Sequence, residues 1–157
     1  MYKRQPHGHC EASWFSKNES FTNPSELLIV PDHYIFRMLV SQGISLESLG
    51  IPTHDGSSFE RDPVKIWKIF ADHYYLFRGT PTAMWLDYTF KHVFEISEPL
   101  NSSNSLTFYN HILAKLQEPS FKPRILFDRF NIETLATTDS AIDLSLIHIS
   151  EPTRPST

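Results

Sequence analysis

Apolar residues recur at intervals of three and four along most of the chain, a spacing that predicts helices. Pro24-Ser25-Glu26-Leu27-Leu28 reads as a short helix. Pro31 and Asp32 open a second that ends before Gly43, with Ile35, Met38, Leu39 and Gln42 on one side. Asp62-Pro63 is a stronger start signal, because a capping carboxylate precedes a proline whose missing N–H costs nothing at a first helical position. From there Val64, Trp67, Phe70, Ala71, Tyr74 and Phe77 form a wide aromatic stripe that Gly79 stops. Thr80-Pro81 repeats the start signal, and Met84, Trp85 and Tyr88 carry a helix toward Phe94, so the two helices are expected to pack as a hairpin.

Further along, Ser102 or Ser103 is expected to cap a helix whose face is Leu106, Tyr109, Leu113 and Leu116, and another helix runs from Pro123 to about Phe130. The segment from Ile132 to Thr138 is rich in β-branched residues and predicts a strand. Cys10 to Asn23 is polar with isolated aromatics and predicts a loop. A run of helices entering a short apolar strand fits an αβ step of a barrel. The fold expected is therefore a mostly α-helical fragment of an α/β (β/α)8 TIM barrel, with one or two short barrel strands and a single, incomplete domain.

Composition narrows the function classes. The chain has 157 residues, 40% of them hydrophobic and 13% aromatic, which is a globular rather than a disordered balance. A formal charge of −4 and no Lys/Arg run argue against nucleic acid as a partner. No apolar run reaches the roughly 20 residues of a membrane helix. A single cysteine, Cys10, excludes an internal disulfide, and the polar first residues lack the apolar core of a secretion signal, so a cytoplasmic protein is expected.

The two ends carry a different kind of signal. Met1-Tyr2-Lys3-Arg4-Gln5 can be encoded by a DNA string whose reverse complement translates as Leu-Ser-Leu-Ile-His, the peptide at Leu144 to His148. Such an inverted repeat resembles a sequencing adapter read once at each end. Residues 1–5 and 144–157 are therefore expected to be adapter-like, leaving 6–143 to carry the fold. The alternative is a natural half-buried strand at Leu144 to Ser150, where apolar and polar residues alternate.

Three groups of residues offer chemistry. His7-x-His9 places two imidazoles on one side of an extended segment, where both can meet one cation; a solvated surface pair is the plain alternative. Asp32-His33-Tyr34 gathers an acid, an imidazole and a phenol within one helical turn, suited to proton transfer or hydroxyl recognition, with Arg37 one turn on. There the plain alternative has Asp32 capping the helix and Tyr34 packing. Thr137-Thr138-Asp139 follows the predicted strand, at the edge where a barrel gathers its active-site loops, and could bind sugar hydroxyls or form an ordinary turn. His54, His73, His92 and His111 lack ligand spacing and read as surface or core residues.

Taken in series, PHGHC at 6–10, NPSELLIVPDHYIFRMLVSQGI at 23–44, RGTPTAMWLDYTFKHVF at 78–94 and RFNIETLATTDSAID at 129–143 resemble the uronate isomerase family of the amidohydrolase superfamily. The sequence departs from the family's usual pattern in the residue before the His-x-His pair and in Ala83-Met84 before Trp85. The resemblance implies that 6–143 is the N-terminal part of one barrel domain of an enzyme that interconverts D-glucuronate with D-fructuronate, or D-galacturonate with D-tagaturonate. It implies His7 and His9 as ligands of a divalent metal, zinc being the first candidate. Tyr34 would help move a proton between C1 and C2 with His33 beside it, while Arg37, Thr138 and Asp139 would bind the substrate. The partner implied is a small uronate sugar, with a homo-oligomer expected at full length and no activity expected from the fragment alone. Two other readings stay open: a metal-dependent hydrolase of the same superfamily, and a non-catalytic helical interaction module.

Overall fold

The computed structural model describes residues 11–54, 56–133 and 135. Within them lie seven α-helices: α1 (Ala12–Lys17), α2 (Pro24–Leu28), α3 (His33–Ser41), α4 (Pro63–Asp72), α5 (Pro81–His92), α6 (Ser105–Leu116) and α7 (Pro123–Arg129). Short 3-10 turns at Glu47–Leu49, Tyr74–Phe77 and Pro119–Phe121 join them. No strand occurs among the described residues. Of the segment predicted as a strand, Ile132, Glu133 and Leu135 are described and are not in one; the rest lies outside the described residues. The chain divides into two compact units, Phe21–Gln117 on one hand and Met1–Ser20 with Glu118–Thr157 on the other.

Local chemistry starts the helices of the larger unit. The Asn23 side chain accepts from the Glu26 amide at 3.0 Å, that of Asp62 from Val64 at 2.9 Å, and that of Thr80 from Ala83 at 3.2 Å. A proline follows each of these three caps, pre-set in φ for the first helical turn. Each cap satisfies one of the amides that a helix start leaves without a partner. Gly79 lets the chain turn between the Tyr74–Phe77 segment and α5 at φ 78°, a conformation that other residues adopt at a cost.

The core of this unit is a cluster of aromatic rings centred on α4. Trp67 and Phe70 meet Phe90 of α5, Tyr109 of α6 and the rings of Tyr74 and Phe77, at centroid distances of 5.4–6.3 Å and mostly at steep angles. Such tilted and edge-on pairs suit the ring quadrupoles. Helix α4 rests against α6 and α2. Trp67 donates its indole N–H to the Ser105 carbonyl at 2.8 Å, and the buried Ser25 hydroxyl donates to the Pro63 carbonyl at 2.6 Å. Close approach is visible at Gly50, where a Cβ would come within 2.6 Å of Ile66 Cδ1.

The burial pattern corrects the sequence reading at several points. Ile66, Trp67, Phe70 and Ala71 form the buried side of α4, whereas Val64 is exposed. In α5 the buried residues are Ala83, Leu86 and Phe90, while Met84, Trp85 and Tyr88, the residues from which the helix was read, point outward. Helix α6 buries Phe108, Tyr109, Ile112 and Leu116 but leaves Leu106 exposed. Its start is built by Asn101, whose side-chain oxygen accepts from the amides of Ser103 and Asn104, and not by a serine cap. Histidines 73 and 111 serve as structural pins, hydrogen-bonded to the carbonyls of Ile69 and Phe94.

In the smaller unit, α1 occupies a segment predicted to be a loop. Nothing local caps its start, and it ends at Asn18 with φ 52°. Arg124 of α7 provides what the local sequence lacks. Its guanidinium donates to the carbonyls of Phe15 at 2.7 Å and Ser16 at 3.1 Å, and its backbone amide donates to the Asn18 side chain. Carbonyls at a helix end have no intrahelical partner, and a cation there also matches the helix dipole. Phe15 and Phe127 pack edge-on at 6.1 Å beside this clamp.

Burial of Tyr74, then its hydrogen bond to Asp87 at 2.7 Å, raises the phenol well above its ordinary pKa. The unfolded chain therefore loses this proton first, from about pH 10. Stability from the neutral phenol is complete below that pH and declines as pH rises above it. Tyr74→Phe is expected to flatten the fall in stability between pH 9.5 and about 11 in denaturant titrations. An unchanged slope would show that Tyr74 contributes nothing to it. The buried Tyr109 phenol is shifted in the same direction and should retain part of the slope in that variant.

Candidate active site

Helix α3 carries the only predicted site residues that fall among the described ones: His33, Tyr34 and Arg37. Asp32 begins the helix by accepting from the amides of Tyr34 at 2.8 Å and Ile35 at 3.3 Å. That cap fixes the register of everything after it and is worth about 1 kcal/mol. Ile35 and Leu39 then point into the core and are fully buried. His33, Tyr34 and Arg37 consequently share the opposite side, since residues three and four apart in a helix are neighbours.

The plain reading of this cluster is half right. Asp32 does cap, but Tyr34 does not pack: 58% of it is exposed, with its ring tilted against His33 at a centroid distance of 4.1 Å. Arg37 is exposed and forms no ion pair with Asp32 or with any other described residue. The helix thus holds a phenol and a guanidinium toward solvent, with a half-buried imidazole beside them, on a base anchored in the core. Phenol and imidazole can donate and accept hydrogen bonds, and a planar guanidinium matches a carboxylate.

His7, His9, Thr138 and Asp139 lie outside the described residues. The described residues alone do not fit a metal: no group of three or more His, Cys, Asp or Glu among them is placed to hold one. Nor is any described helix long and apolar enough to cross a membrane.

Sequence reasoning missed a cleft of about 290 Å³ in the larger unit, lined in part by Asp72, Tyr74, Arg78, Asp87 and Asn101. No spacing rule joins residues so far apart, so only the folded chain reveals it. Its acids already have partners, Asp87 in Tyr74 and Asp72 in Lys68 at 3.1 Å. None of the α3 residues lines it.

The sequence profile of the glucuronate isomerase family matches residues 4–153. The chain belongs to this family. The uronate isomerase of Mesorhizobium japonicum is 54% identical over 138 residues, which is 88% of this chain and 29% of that protein. The uronate isomerase of Rhizobium meliloti is 52% identical over the same shares. Among solved structures, the glucuronate isomerase of Caulobacter crescentus superposes with a TM-score of 0.78 at 50% identity, covering 84% of this chain and 27% of that one. The uronate isomerase of Thermotoga maritima superposes at 0.72 with 25% identity, covering 85% and 28%. This glucuronate isomerase family chain therefore spans less than a third of the length of the relatives it matches.

Proposed function

We propose that the complete protein is a uronate isomerase, interconverting D-glucuronate and D-fructuronate or D-galacturonate and D-tagaturonate. The family match over residues 4–153 carries this reading. The exposed Tyr34 and Arg37 of α3, with the half-buried His33 beside them, support it with suitable chemistry. In the complete protein, the helices α1 to α7 would lie between the first strand of a (β/α)8 barrel and the next, with Thr138 and Asp139 at a strand end on the catalytic side.

Aldose–ketose isomerisation needs side chains that move protons on and off carbon and oxygen. The C2–H bond must break and its proton pass to a base; the electron pair forms the C1–C2 enediol as O1 gains a proton. C1 is then protonated while O2 loses its proton and becomes the ketone. Tyr34 takes part in this transfer through its hydroxyl, with the tilted His33 ring beside it to hold the phenol in place. Arg37 engages the sugar's carboxylate through two parallel N–H donors, and Thr138 with Asp139 holds hydroxyls. His7 and His9 would hold the divalent cation, zinc in our reading, which supplies positive charge near the sugar oxygens when bound.

The test uses a hybrid enzyme in which the matched 138 residues of this sequence replace their counterparts in the Mesorhizobium japonicum isomerase. The hybrid is expected to convert D-glucuronate or D-galacturonate to its ketose, followed by NMR, while the 157-residue chain by itself converts neither. A folded hybrid that leaves both uronates unchanged, or that cleaves simple amides or esters instead, contradicts the proposal.

A further inference from the structure

Helix α5 is apolar on two opposite sides. Ala83, Leu86 and Phe90 are buried in the core, while Met84, Trp85 and Tyr88 are 62%, 58% and 63% exposed. Tyr88 extends the outer stripe to His92, one turn on, with ring centroids 4.4 Å apart. A helix at the surface of a finished globular protein normally has one apolar stripe and one polar face, and a helix with apolar residues on both sides is normally buried on both. One stripe of α5 is already in the core, so the outer stripe is the one that still needs a neighbour.

We propose that this outer stripe is an internal packing surface of the complete isomerase, covered by the part of the same polypeptide that this sequence does not span. Two observations favour that occupant over a second copy of the chain. First, the exposed portions of the three large side chains amount to on the order of 350 Å². A stable dimer needs about 800 Å² from each partner, so the stripe alone is too small for one. A contact within one polypeptide has no such threshold, because the tether removes most of the cost of association. Second, the relatives are long: the matched 138 residues are 29% of the Mesorhizobium japonicum chain, so most of the polypeptide is available to cover the stripe. The composition also suits the role, since Met, Trp and Tyr fill irregular gaps and the indole and phenol retain a polar edge for a partner group.

The experiment places a photo-crosslinker at the centre of the stripe, Trp85→p-benzoylphenylalanine, in the hybrid enzyme, and maps the products by mass spectrometry. The expected product is a crosslink within one chain, joining position 85 to a peptide downstream of the replaced residues. Covalent dimers would assign the stripe to a second copy and overturn the proposal. Crosslinks confined to the replaced segment, or yields no higher than at an exposed polar control such as Asn110→p-benzoylphenylalanine, would overturn it as well. If the hybrid does not fold, the same crosslinker at the matching position of the Mesorhizobium japonicum enzyme gives the same readout. Because the product is a covalent map and not a turnover rate, failure here is distinguishable from failure of the isomerase assignment.

Discussion

Trp67→Ala is expected to lower the unfolding free energy of the chain by about 3–5 kcal/mol, the largest effect of any single core truncation here. Trp67 is 1% exposed and touches Phe70, Phe90 and Tyr109, so its removal opens a cavity that rings from three helices would have to collapse into. Rigid aromatic neighbours collapse poorly. The truncation also leaves the Ser105 carbonyl at the start of α6 without its indole donor. That carbonyl keeps its place in the α6 ladder, so the lost hydrogen bond adds only about 0.5–1.5 kcal/mol to the cavity cost. Total stability of a domain this size is about 5–15 kcal/mol, so the loss is a large fraction of the whole. Urea denaturation followed by far-UV circular dichroism measures the change. A loss below about 1 kcal/mol would contradict the placement of Trp67 at the centre of the core.

The second large effect concerns chemistry and leaves stability alone. Tyr34→Phe in the hybrid enzyme is expected to lower kcat by about 10²- to 10⁴-fold, the usual range for losing a positioned proton donor or acceptor. Tyr34 is mostly exposed and its hydroxyl supports no core packing, so the unfolding midpoint should move little. That contrast would separate the two kinds of site, Trp67 acting through the fold and Tyr34, on the proposed reading, through the reaction. A variant that keeps full activity would remove the phenol from the mechanism. One that loses activity only by unfolding would show that Tyr34 is structural.

The helices that could be read from the sequence are those whose start signals are local. Asn23, Asp62 and Thr80 each accept a bond from an amide three residues on or fewer, and a proline follows each, so a short window contains the physics. Helix α1 escaped the same reading because its support comes from Arg124, 109 residues from Phe15 along the chain. No local pattern can report such a contact. In α5 the pattern was present and its direction was not. Two apolar stripes share one helix, and spacing alone does not say which of them this unit buries.

The grouping of candidate residues on α3 was legible for a similar reason. His33, Tyr34 and Arg37 fall within five residues of one another, and helix geometry places such neighbours together wherever the helix forms. The cap at Asp32 and the buried Ile35 and Leu39 then settle which way they point. No such local argument reaches His7, His9, Thr138 and Asp139. They lie outside the described residues, and their part in the site is the proposal above.

The most direct test of the central claim is a crystal structure of the hybrid enzyme with a uronate bound. The account predicts the sugar against the outer side of α3, with the Tyr34 hydroxyl within about 3 Å of a sugar oxygen and the Arg37 guanidinium paired with the carboxylate. A uronate bound elsewhere, with His33, Tyr34 and Arg37 all facing bulk water, would contradict it.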